Sequence, residues 1–231
     1  MVSMRLQQIV RFSVVLALLT ALAGGLSVVN AQTSSVFPTW TIISRFLIVL
    51  VFGAFGLSVA RASQLRGSLI ITSEEWPLTL RDFFNFGVLP GLVLGLINYF
   101  FFFTYRDSPD VLPRIREIHN VYDSFILSLD TGMAEETIYR LFILSCLFFT
   151  FRHMYVRLKP MWPAAVAILP VVLALVLSSL LFAMAHDFYA FTGAFFGGIL
   201  LGLIYLKSGI EGAIAAHVLA NFLFFTASYL S

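Results

Sequence analysis

Apolar runs separated by short polar breaks recur along the whole chain. A helix crossing the hydrocarbon of a bilayer takes about 20 apolar residues. Seven segments are read as candidate crossings: 9–29, 41–60, 86–104, 122–151, 163–186, 190–206 and 210–230. The fourth is long and polar at its start, so its first turns are expected at the interface or packed inside a bundle. The stretch TSEEWPLTLRDFFNF, 72–86, mixes charges with Trp76 and phenylalanines, a pattern suited to a short amphipathic piece lying in the interface. Longer polar connections fall around 61–82 and 105–121, and no repeat is visible.

The first run follows Arg5 and Arg11 and ends near Val29-Asn30-Ala31, which resembles a small-residue cleavage site. Signal peptides carry an apolar region of about 7–15 residues. This run is longer, and a retained helix is the expectation. Lys and Arg favour the cytoplasmic side of a membrane. With the N-terminus inside, nine fall in inner loops (Arg5, Arg11, Arg61, Arg66, Arg81, Arg152, Arg157, Lys159, Lys207) and three outside (Arg106, Arg114, Arg116). Asp107, Asp110 and Glu117 balance the outer three, so the expected orientation is N-terminus in.

Composition sharpens the class. The 231 residues are 60% hydrophobic and 11% charged, and mean hydropathy is +0.95. Soluble domains carry about 25% charged residues. The chain therefore reads as one all-α, polytopic membrane bundle over 1–231, with the bilayer as its surroundings and no room for a sizeable soluble domain. A net charge of +2 without a basic tail is too small to suggest nucleic acid, and no such partner is expected. The single cysteine, Cys146, excludes an intrachain disulfide. Oligomeric state is not legible.

Charged and polar side chains inside apolar segments then need an explanation. A charge at a helix centre costs about 2.5–3.5 kcal/mol on the insertion scale and normally finds a partner inside the protein. Glu136 and Arg140 are spaced i,i+4 with the acid first, the favourable order. Glu135 points about 100° away from Glu136, so one carboxylate is held by Arg140 and the other faces elsewhere. A structural ion pair explains Glu136 and Arg140 but leaves Glu135 over. Phe182 and His186 stand one turn apart near a helix end, where His186 and Asp187 also fit a plain membrane boundary. His217 and Asn221 project from one face of the last segment, among Gly212, Ala213, Ala216 and Ala220. Small residues allow close helix approach, and the pair also fits as polar glue between helices.

Buried polar groups without partners cost a few kcal/mol each, so the economical arrangement is one shared polar cavity. There Glu135 accepts a proton from water, His186 helps hold that water, and His217 and the Asn221 amide donate to an oxyanion. From the chemistry alone the choice stands between a hydrolase and a proton-coupled transporter.

Glu135-Glu136-x-x-x-Arg140, Phe182-x-x-x-His186 and His217-x-x-x-Asn221, in order on successive apolar segments, resemble the three-motif signature of the CPBP intramembrane proteases. This family, also called Abi, includes the type II CAAX prenyl endopeptidases, and the resemblance covers about 130–225. It implies a helical membrane bundle with a polar chamber that hydrolyses peptide bonds in a peptide or membrane-protein substrate. By position, Glu135 and His186 would activate water, and His217 and Asn221 would stabilise the oxyanion. Glu136, Arg140 and Phe182 would support them. A glutamate-type mechanism without metal or other cofactor is the preferred reading, with zinc on Glu135, His186 and His217 as the alternative donor set. Beside the protease stand a proton-coupled transporter and a non-catalytic immunity or scaffold protein. One conflict remains in these boundaries: His186 falls near the outer end of its helix, whereas His217 lies about 7 residues, roughly 10 Å, from the inner end of its own.

Overall fold

A computed structural model describes residues 2–30, 38–65, 67, 76–105, 118–158, 168–186 and 188–230. All regular elements there are helical. α1 (Val2–Asn30) and α2 (Pro38–Ala62) form the first hairpin. α3 (Trp76–Phe83) runs through a π-helical turn (Phe84–Val88) into α4 (Leu89–Tyr105). α5 (Val121–Glu136) runs through a second π-helical turn (Thr137–Leu144) into α6 (Ser145–Leu158). α7 (Leu169–Met184) and α8 (Phe188–Leu230) complete the chain.

Four described segments are long and apolar enough to cross a membrane: Gln7–Leu26, Ile42–Ala62, Leu80–Phe100 and Ala190–Ala227. The all-helical, membrane-protein reading therefore holds. The described part of the 72–86 piece is continuous with the third segment, which begins at Leu80 instead of 86. Residues 72–75 lie outside the described residues, as do Arg66, Arg106, Asp107, Asp110, Arg114, Arg116, Glu117, Lys159 and Asp187.

Helix boundaries have local causes. Asn120 caps α5: its Oδ1 accepts from Asp123 N at 2.9 Å, while Asp123 Oδ2 accepts from His119 N at 3.0 Å. This reciprocal pair satisfies donors that a helix start leaves open and sets where α5 begins. α8 is broken at Gly209, whose φ of 69° lies where a side chain would be strained. The break frees Ile210 N, which donates to Gly67 O at 2.8 Å. The two halves of α8 correspond to the sixth and seventh apolar segments.

Packing centres on α8. Its first half lies along α7, with Gly198 opposite Ser179 and Gly202 opposite Leu175. Its second half lies against α4 and α5. At Gly132 a Cβ would stand 2.7 Å from Val218 Cγ2, so only glycine lets α5 approach this closely. Leu141, Leu144, Leu175, Leu201, Ile204, Tyr205, Ile210 and Ala216 form the core around these contacts. Hydroxyls buried there bond within their own helices, as in Ser179 Oγ to Leu175 O at 2.7 Å, or across, as in Ser145 Oγ with Tyr205 Oη at 2.8 Å. Backbone and side-chain polar groups must find such partners where lipid supplies none.

Candidate active site

The end of α5 and the π-helical turn after it carry the first motif. Widening the helix at Thr137–Leu144 begins directly after Glu136 and contains Tyr139 and Arg140. Such local widening is frequent at functional sites. Glu136 and Arg140 are both fully buried, with Arg140 Nε 3.3 Å from Glu136 Oε2. The guanidinium carbon also lies 4.3 Å from the centre of the Phe182 ring. Arg140 Nη1 and Nη2 have no hydrogen-bond partner among the described residues. The cation is thus held by one carboxylate and one ring face, a combination that strengthens away from water.

The last helix supplies the second half of the cluster. His217 Nδ1 lies 2.8 Å from Glu136 Oε1, and its Nε2 lies 3.7 Å from Glu135 Oε2. Since a carboxylate only accepts, Nδ1 carries the proton in the bond to Glu136. The two adjacent glutamates therefore address opposite nitrogens of one imidazole. They differ in exposure: the Glu136 side chain is 0% accessible and that of Glu135 29%.

Phe182 joins the remaining histidine to this group. Its ring lies 4.5 Å from the His186 ring and 6.0 Å from that of His217. His186 itself sits in the turn between α7 and α8, and its Nδ1 donates to Phe182 O at 2.9 Å. No polar contact links His186 to Glu135 among the described residues. Asn221 Nδ2 donates to Thr131 Oγ1 at 3.1 Å, which fastens the amide to α5.

Both histidines thus border one phenylalanine, despite the sequence-based boundaries that kept them apart. Ile168 is the N-cap of α7, which starts at Leu169, deeper than the expected 163, and α8 breaks at Gly209. Residues 163–167 lie outside the described residues. Glu135, His186 and His217 do not converge as a zinc set: among the described residues no three His, Cys, Asp or Glu side chains are grouped to hold an ion.

Residues 117–223 match the family model of the type II CAAX prenyl endopeptidases, Rce1-like. This segment, just under half of the chain, is similar to an Rce1-like domain. The match begins just before the α5 cap and includes all seven motif residues named above, and it supports a CAAX-type membrane protease. No curated protein and no solved structure matches the chain.

Three neighbours of the Rce1-like motifs were not singled out by sequence. Thr131 holds Asn221, and its place one helical turn before Glu135 is the signal that would have found it. Tyr139 packs edge-on against Phe182 at 5.2 Å. Asp130, buried beside Gly24 of α1, pairs with Arg45 of α2 at 3.4 Å. Both members of that pair stood in apolar segments, but nothing in their spacing connects helices so distant along the chain.

Proposed function

We propose that the protein is an intramembrane endopeptidase of glutamate type. The observation that carries the reading is the imidazole of His217 set between Glu136 and Glu135. Two carboxylates and one guanidinium leave a single negative charge in an apolar surrounding, where uncompensated charge is costly. We take His217, which meets both carboxylates, as the donor that faces the reacting group. It then offers Nε2–H to an oxygen that gains charge during the reaction.

Glu135, the more exposed of the two acids, takes a proton from a water held with His186. The resulting hydroxide attacks the scissile carbonyl carbon, and the carbonyl oxygen becomes an oxyanion. His217 Nε2–H and the Asn221 amide stabilise it. The Asn221 amide has two N–H donors, and the bond to Thr131 uses one. Collapse of the tetrahedral species breaks the C–N bond, and Glu135 returns its proton to the leaving amine. The product is a carboxylic acid and an amine, with no redox step and no metal in the sequence of events.

The same reading takes the chain as a seven-crossing bundle, N-terminus inside, in a prokaryotic plasma membrane. A polar chamber in residues 130–225 admits water and a peptide or membrane-protein substrate. The family match favours a peptidase over proton-coupled transport or a non-catalytic immunity role. The test compares membrane proteomes of cells carrying wild type or Glu135→Gln. A polypeptide that accumulates uncut only with the variant supports peptidase function. Identical proteomes, together with proton-dependent flux in liposomes lost in the variant, would support transport instead.

A further inference from the structure

Away from the motif cluster, the ends of α2 and α6 enclose a cleft of about 360 Å³ lined by Ala62, Ser63, Gln64, Arg152, His153, Val156 and Arg157. Its wall is built. Arg152 Nη1 donates to Ser63 O, and Nη2 donates to Gln64 Oε1 at 3.0 Å. These bonds hold the turn that ends α2, in which Gln64 adopts a φ of 61°. His153 Nδ1 donates to Phe149 O at 2.8 Å, and among the described residues Nε2 has no hydrogen-bond partner.

Two features select a ligand. Among the described residues the lining has two arginines and a histidine and no acid, and Arg61 adds an exposed cation in the last turn of α2. The apolar segment Ile42–Ala62 ends at the cleft itself, and Val156 provides a second apolar wall. Positive charge at the end of a membrane-crossing segment, with apolar groups beside it, matches the level at which lipid phosphates lie. Guanidinium groups suit phosphate oxygens by geometry as well as charge.

We propose that this cleft binds an anionic phosphate group, that of a phospholipid headgroup, with Arg157 and Arg152 facing the phosphate and Ala62 and Val156 the start of the acyl chains. The inference stands independently of the peptidase reading. The test uses the full-length protein in detergent, titrated with phosphatidylglycerol, phosphatidylcholine or inorganic phosphate and followed by native mass spectrometry. Wild type is expected to retain phosphatidylglycerol over phosphatidylcholine. Arg157→Ala is expected to weaken that retention about five-fold, the effect of one basic residue near an anionic surface. Arg11→Ala, which removes an exposed arginine outside the lining, is expected to leave it unchanged. Equal retention by Arg157→Ala and wild type would overturn the site. Displacement of the lipid by inorganic phosphate at comparable concentration would overturn the headgroup as the source.

Discussion

His217 Nδ1 sits 2.8 Å from Glu136 Oε1, so the glutamate paired with Arg140 is also the one that orients the histidine. Helix α5 and the last half of α8 are joined here by one short bond between buried groups. Glu136 acts through His217 and Arg140, which makes it a positioning residue in this mechanism.

Glu136→Gln keeps the size of the side chain and removes its charge. It leaves Arg140 buried without a carboxylate, an error that typically costs 3–5 kcal/mol. A large loss of thermal stability in detergent is expected, along with loss of activity. Glu136→Gln combined with Arg140→Met should recover most of the stability, because neutral replacement of a buried pair is often tolerated. It should not recover kcat, since His217 still lacks its anionic partner.

Glu135→Gln should behave differently. Its side chain is partly exposed and makes a longer contact, at 3.7 Å from His217 Nε2. Thermal unfolding should shift little. Loss of a general base lowers rates by about 10²–10⁴-fold, and the loss should appear in kcat with KM nearly unchanged.

Thr131→Val removes the acceptor for Asn221 while keeping the branched shape. A fall in kcat of about ten-fold is expected, with Thr131→Ser retaining most of the activity because its hydroxyl accepts the same bond. Asn221→Ala, which removes the donor itself, should cost about 10²–10³-fold, the range for loss of one oxyanion donor. Steady-state cleavage of a validated substrate separates the three variants.

Asn120→Ala tests the cap that starts α5 without touching the motifs. Loss of an N-cap costs typically about 1 kcal/mol, and a modest decrease in the unfolding midpoint is the expected outcome. Well below that midpoint, kcat should be unchanged. A large activity loss at full folding would mean that the cap does more than start the helix.

These expectations also mark what was legible without coordinates. Glu136 with Arg140, and His217 with Asn221, are neighbours through helical periodicity, and the apolar setting made their polarity conspicuous. Glu136 to His217 was not legible, because only the packing of α5 on α8, allowed at Gly132, brings them together. The π-helical turn at Thr137–Leu144 has no residue signature in so apolar a run, so the placing of Tyr139 against Phe182 was unforeseen. α7 is described from Leu169, with Pro170 fitting its first turn, and the first residues of the expected 163–186 segment lie outside the described residues. Asn120 and Asp123 carry a readable capping pattern that apolar periodicity alone passes over.

The central claim is that the two adjacent glutamates do separate work, Glu135 on water and Glu136 on His217. Cleavage of one membrane-protein substrate in proteoliposomes, measured for wild type, Glu135→Gln and the Glu136→Gln/Arg140→Met pair at equal folded fraction, tests it most directly. The expected result is loss of turnover in both variants, with near-wild-type stability in Glu135→Gln. Turnover by Glu135→Gln at the wild-type rate would contradict it.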